Sequence, residues 1–229
     1  MTTHRFFVEP GTAAGERLAI PDGIAKQVTR VLRLGDGDEI VLLEGDGLEV
    51  RCRLSGGWLD VVSRAPARGE PRHRLTVAQA LLKGDHLEPV VRHGTEVGIS
   101  RFELFVSDRC VAREISDARL GRLRAVAREA AEQSERGIVP EVVAPAPMAE
   151  VIGRGSVLLF ERSDGPRLSE VPVPERLIIG PEGGFAPDEV AAAEQAGATT
   201  AGLGPRILRS ESVAAAAAAV VLSRTGDFG

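Results

Sequence analysis

From Leu75 onward the chain alternates short apolar runs with helical patterns, and this alternation limits the fold more than any other feature. Leu75 to Leu82 reads as a buried strand and Asp85 to Val97 as a helix stopped by Gly98. Arg101 to Val106 reads as another strand, followed by a long helix from about Asp117 to Ser134. A strand over Ser156 to Glu161 precedes two units of similar grammar, Leu177-Ile-Ile-Gly-Pro-Glu-Gly-Gly-Phe185 and Leu203-Gly-Pro-Arg-Ile-Leu-Arg-Ser-Glu-Ser212. Each is an apolar strand, a Gly-Pro loop and the start of a helix. The pattern predicts an α/β domain with a mostly parallel sheet covered on both faces. Ligand sites in such sheets form at strand-to-helix loops, so the two neighbouring units predict one pocket.

The first 71 residues have a different pattern. His4 to Val8 predicts a strand, and Gly23 to Leu32 a short helix with Ile24, Val28, Val31 and Leu32 on its apolar side. Asp38 to Glu44, Leu48 to Leu54 and Trp58 to Ser63 follow as strands, separated by Gly-Asp-Gly and Ser-Gly-Gly turns, which predicts a small barrel. Arg64-Ala-Pro-Ala-Arg-Gly-Glu-Pro-Arg72 has linker chemistry, dividing the chain into domains 1–71 and 72–229.

Hydrophobic content of 43% and charged content of 27% are those of a globular protein. The first ten residues lack the charge pattern of a signal peptide, and the longest apolar run, Val213 to Leu222, is too short for a bilayer, so the expected location is cytoplasmic with no membrane partner. Cys52 and Cys110 form no CxxC pair and have no histidine at metal spacing, so we expect two small buried side chains and no metal. The net charge of −5 opposes non-specific nucleic-acid binding by the whole surface while leaving room for a local basic patch.

The loops themselves select a ligand class. Gly180-Pro-Glu-Gly-Gly184 lacks the spacing of a phosphate cradle, and Glu182 sets a carboxylate where phosphates would sit, so a neutral or cationic ligand fits better. The second loop carries Arg206, Arg209 and Glu211, and two arginines beside a pocket favour an anionic partner such as an RNA phosphate or a carboxylate. Ile207 and Leu208 are expected to anchor that loop in apolar packing. The segment Arg128-Glu-Ala-Ala-Glu-Gln-Ser-Glu-Arg136 predicts a solvated helix face, with Gln133 and Arg136 at its end set aside for function. The alanine run Ala214 to Ala219 predicts a close helix–helix contact, within the chain or across a dimer.

GPEGGF, LGPRILRSES, EAAEQSER and VLRLGDGDEI, together and in register, resemble the RsmE family of 16S rRNA uridine-N3 methyltransferases in the SPOUT superfamily. Lys83-Gly-Asp-His-Leu87 and Thr95-Glu-Val-Gly98 match the same pattern. Arg92-His93-Gly94 departs from it where the family carries a lysine, as does Ser107-Asp-Arg-Cys110, where the family reads Ser-Glu-Arg-Ser. The resemblance implies a PUA-like β-barrel for RNA, then a trefoil-knotted α/β domain that binds S-adenosylmethionine and works as a homodimer on 16S rRNA within the small ribosomal subunit. It implies cofactor contacts from Ile179, Gly180, Pro181, Glu182, Gly183, Gly184, Leu203, Gly204, Ile207, Leu208 and Ser210. Substrate contacts would come from Arg33, Gln133, Arg136, Arg206 and Arg209. Arg209 and Arg136 would steady the uracil oxygens, and Glu182 and Glu211 would take or position the N3 proton. A knotted ribose 2′-O-methyltransferase and a non-catalytic RNA-binding assembly factor are the alternatives.

Overall fold

A computed structural model describes residues 3–160 and 165–228, in two compact units. The first comprises residues up to Glu70 together with Ala131–Val139, a segment that the linear division left in the second domain. Its elements are β1 (His4–Phe7), β2 (Arg17–Ala19), α1 (Asp22–Lys26), β3 (Glu39–Leu43), β4 (Leu48–Ser55) and β5 (Trp58–Pro66). They form a five-stranded mixed sheet in the order β1-β3-β4-β5-β2, with only β1 and β3 parallel. Alternate residues of the strands, among them Phe6, Ile40, Leu42, Cys52, Leu54 and Leu59, turn into one core closed by Ile24 and Val28. Val31 was expected on that apolar side but is 67% exposed. Helix α1 runs into a π-helical turn over Gln27–Val31, in which the Leu32 amide donates to the Gln27 carbonyl. The wider turn breaks the 3.6-residue phase that would have carried Val31 inward.

The second unit contains β6 (Thr76–Ala80), α2 (Leu87–Val97), β7 (Arg101–Val106), α3 (Asp117–Gln133, its last residues belonging to the first unit), β8 (Glu141–Pro147), α4 (Met148–Val151), β9 (Ser156–Leu159), β10 (Arg176–Ile179), α5 (Pro187–Gln195), β11 (Thr199–Ala201) and α6 (Ser210–Thr225). Its six strands are all parallel, in the order β11-β9-β10-β6-β7-β8. Every residue of β9 is buried, as a strand covered on both faces requires. The stretch after Leu159, where the sequence pattern ended a strand at Glu161, lies outside the described residues from position 161 to 164. Helix α2 stops at Gly98, whose φ of 114° is open to glycine and strained for other residues.

The alanine-rich α6 packs on α2 and buries Ala214, Ala217, Ala218, Val221 and Leu222. Its C-terminal end is tied down by Asp227, whose carboxylate accepts from the amides of Arg72 (2.8 Å) and His73 (3.1 Å) and from the Thr225 hydroxyl (2.7 Å). Burial pushes this carboxyl up, but the hydrogen bonds and the Arg72 charge outweigh it and leave its pKa below the ordinary value. A depressed carboxyl contributes stability above its unfolded pKa and loses it as pH falls through the folded one. Asp227→Asn is therefore expected to lower stability by about 1–2 kcal/mol at neutral pH. Thermal melts should show that difference shrinking as pH falls below about 4, where the unfolded chain takes up the proton, and vanishing once the folded carboxyl, held lower, protonates as well.

Candidate active site

A cleft opens at the C-terminal ends of three neighbouring strands, β11, β9 and β10. Its walls are Leu159 and Phe160 after β9, Ile179 to Glu182 with Gly184 and Phe185 after β10, Leu203, Gly204 and Arg206 to Leu208 after β11, and Ser210 and Val213 at the start of α6. Gly183, expected among the cofactor contacts, lies between lining residues of the same loop, and its carbonyl accepts from the Arg109 guanidinium at 3.1 Å.

Glycine is required at particular points of this wall. A Cβ on Gly180 would stand 3.1 Å from the Phe185 ring, which is itself buried and stacked parallel to Phe105 at 6.4 Å. Gly184 and Gly204 have φ of 66° and 108°, and the Gly184 amide closes a turn onto the Pro181 carbonyl at 2.9 Å. Gly180, Gly184 and Gly204 thus leave main-chain groups open between the apolar side chains of the cleft, a surface suited to a small molecule with both apolar and polar parts.

Charge is arranged around it unevenly. The Glu182 carboxylate accepts from the Lys83 amide at 3.2 Å and lies 4.0 Å from His86 Nδ1, while Glu211 reaches the same Nδ1 at 3.6 Å. Nδ1 is buried and has no hydrogen-bond partner, although the His86 side chain as a whole is 42% exposed, so its accessible part lies on other ring atoms. Arg206 and Arg209 are exposed and make no ion pair among the described residues. Ile207 and Leu208 do not anchor the loop as expected: Ile207 is 82% exposed and Leu208 37%. A loop rising from the sheet edge with Gly204 and Pro205 at its base offers these side chains no core to enter.

Glu189, in the first turn of α5, holds two loops together. Its carboxylate accepts from the amides of Asp108 (2.9 Å) and Ala186 (2.8 Å) and from the Ser107 hydroxyl (3.3 Å). Cys110, one of the departures from the family pattern, is buried and takes the Ser107 amide on its sulfur at 3.3 Å, an acceptor role that serine also fills. Burial holds the Cys52 thiol up at about 11 and raises that of Cys110. Both are inert packing groups at neutral pH. Arg92, at the other departure, makes an exposed pair with Glu129 at 3.6 Å.

Arg33, Gln133 and Arg136 belong to the first unit. Arg33 is exposed at a left-handed φ of 55°, and Gln133 is exposed at the end of α3. Arg136, expected at the uracil, is 2% exposed, and its Nε and Nη2 donate to both oxygens of Glu70 at 3.3 and 3.2 Å. A guanidinium so enclosed serves the fold.

His86, Lys83, Glu189 and Gln79 were not assigned to the site by sequence reasoning. Gln79 is fully buried in β6, its amide donating to the carbonyls of Ala80 (3.1 Å) and Gly180 (3.5 Å). A polar residue inside the apolar run Leu75 to Leu82 was the available signal, as was a histidine just after a strand end.

Comparison with known proteins adds to this geometry. A family model described as an RNA methyltransferase domain matches residues 69–222. Ribosomal RNA small subunit methyltransferase E of Mycobacterium bovis is 35% identical over 96% of this chain and 92% of its own length. The Bacillus subtilis protein of the same name is 32% identical over 81% of each. Among solved structures, ribosomal RNA small subunit methyltransferase E of Neisseria gonorrhoeae, bound to S-adenosyl methionine, superposes with a TM-score of 0.89 at 25% identity, covering 97% of this chain and 98% of that one. A putative methyltransferase of Legionella pneumophila, also with S-adenosylmethionine, gives 0.85 at 25% identity over 98% of both.

Proposed function

This chain belongs to the ribosomal RNA small subunit methyltransferase E family, and on that premise we propose that it methylates uridine N3 in 16S rRNA using S-adenosylmethionine. The carrying observation is the glycine-walled cleft with Glu182 on its rim and two unpaired arginines beside it. Its chemistry fits the donor: main-chain groups for the adenine and methionine portions, and a carboxylate for a cationic centre. When bound, S-adenosylmethionine supplies an electrophilic methyl group on a positively charged sulfur.

The chain's own work is to present the uracil and receive its N3 proton. We assign that proton to His86 Nε2, with Nδ1 steadied by Glu211 and Glu182. Arg209 steadies the uracil oxygens as charge develops on the ring, and Arg206 holds a phosphate. Fixing acceptor and donor in line supplies the rest. The reading includes a homodimer, supported by the exposed Ile207 at the cleft rim and the half-buried Ala215, Ala216, Ala219 and Val220 along α6.

Nucleoside mass spectrometry of 16S rRNA from a strain lacking the gene tests the assignment. Loss of 3-methyluridine is expected; its persistence, or loss of a ribose-methylated nucleoside instead, rejects it. His86→Ala is expected to lower kcat by about 10²-fold or more while S-adenosylmethionine affinity stays within about threefold. Unchanged turnover would return the proton to a carboxylate or to water.

A further inference from the structure

The opposite end of the parallel sheet carries a basic basin that the methyl-transfer site does not use. It is a cavity of about 590 Å³ at the N-terminal ends of β6, β9 and β10. Arg72 and Arg74 precede β6, Arg154 precedes β9, and all three are exposed with no side-chain hydrogen bond or ion pair among the described residues. Arg176, the fourth arginine there, is engaged with Glu103 at 3.0 Å and the Val151 carbonyl at 3.3 Å. Glu175 is the carboxylate in the lining, and Arg72 also feels Asp227, so the remaining balance is positive.

The roots of these arginines are fixed. Asp227 holds the amides of Arg72 and His73, and a His73 ring nitrogen meets the Pro174 carbonyl at 2.8 Å. Arg154 sits in a turn closed from the Ser156 amide to the Gly153 carbonyl at 3.2 Å, and its stem packs so closely on Gly197 that a Cβ there would lie 3.0 Å from its Cγ. Forked guanidinium groups on a held backbone are suited to phosphate oxygens. The lining has no Phe, Tyr or Trp on which a base would stack, its one ring, His73, is tied to the Pro174 carbonyl, and it has no large apolar anchor for a protein partner.

We propose that this basin binds the phosphate backbone of the substrate rRNA, without reading its sequence, at a point remote from the methylated uridine. The proposal rests on the rRNA methyltransferase reading. Its test is fluorescence anisotropy of the intact protein with labelled 16S rRNA across a salt series, comparing wild type with the combined Arg72→Ala, Arg74→Ala and Arg154→Ala variant. Each phosphate contact to a single strand contributes about 0.7 to the slope of log affinity against log salt, so losing three should flatten it by about 2. We expect at least a tenfold weaker complex at physiological salt, an unchanged S-adenosylmethionine Kd by calorimetry, and a Tm within a few degrees of wild type. Lysine at the three positions should restore most of the slope. Unchanged RNA affinity and slope overturn the proposal and turn attention to an acidic protein partner. Wild-type protein that transfers no methyl to the same RNA would count against the functional reading, independently of the basin.

Discussion

Arg136→Ala is expected to destabilise the first unit by about 2–3 kcal/mol, the cost of emptying a buried guanidinium site and leaving the half-buried Glu70 carboxylate without its charged partner. Glu70 would keep only the Ile138 amide, at 3.0 Å, of the donors described above. The surroundings cannot relax to compensate. A Cβ on Gly69 would lie 2.7 Å from the Glu135 carbonyl oxygen, and one on Gly137 would lie 2.6 Å from the Ala67 side chain. Glu135 itself holds a left-handed φ of 63° and pairs with Arg5 at 2.9 Å, so the Ser134-to-Ile138 segment is pinned on several sides. Denaturant unfolding should show the loss, with S-adenosylmethionine affinity retained under folding conditions. Replacing Glu70 and Arg136 together with apolar residues should recover only part of it, because the Ile138 amide then loses its acceptor. A stable Arg136→Ala protein with reduced turnover would instead restore this residue to the substrate.

Gly204→Val is expected to have the opposite profile, sparing the fold and weakening cofactor binding. At φ 108° a β-branched residue is strained by about 1–3 kcal/mol, and the loop relieves that strain by moving. No atom lies within 4 Å of the position a Cβ would take, so the cost comes from backbone conformation and not from a clash. Loop movement displaces the main-chain groups from Leu203 to Leu208 that form one wall of the cleft. Calorimetry should show S-adenosylmethionine binding weakened about 10–100-fold, using about 1.4 kcal/mol per factor of ten. The Tm should fall by no more than a few degrees, because Gly204 is exposed. Unchanged affinity would remove this loop from the donor site.

What was legible in the sequence was local. Ile179 to Gly184 and Leu203 to Ser210 announce their turns through neighbouring Gly and Pro, and strand–loop–helix order brings them to one end of the sheet. The β8 strand was not anticipated because Pro145 and Pro147 interrupt it; β8 is an edge strand, where missing amide donors are tolerated. Long-range pairing was not legible either. Nothing near Arg136 indicates Glu70, 66 residues away, so its burial against that carboxylate was not legible, while Gln133 of the same motif is exposed. His86 stood within the recognisable Lys83 to Leu87 motif, but its approach to Glu182 and Glu211 depends on two loops and the first turn of α6 meeting. The exposed Ile207 shows the limit of reading hydrophobicity as burial.

Strand β10 is only four residues long and is hydrogen-bonded on both sides, to β6 and β9, in one fixed register. Its first residue, Arg176, borders the basin, and its last, Ile179, borders the cleft. At about 3.3 Å per residue it spans about 10–13 Å, and its neighbours do not let it slide. The strand is therefore a ruler between the two ends of the domain. Inserting or deleting one residue within it would reverse which side chains face each helix layer and change the spacing between a phosphate anchor and the reacting base. Loops at either end can vary in composition, but the length between them is set by the sheet.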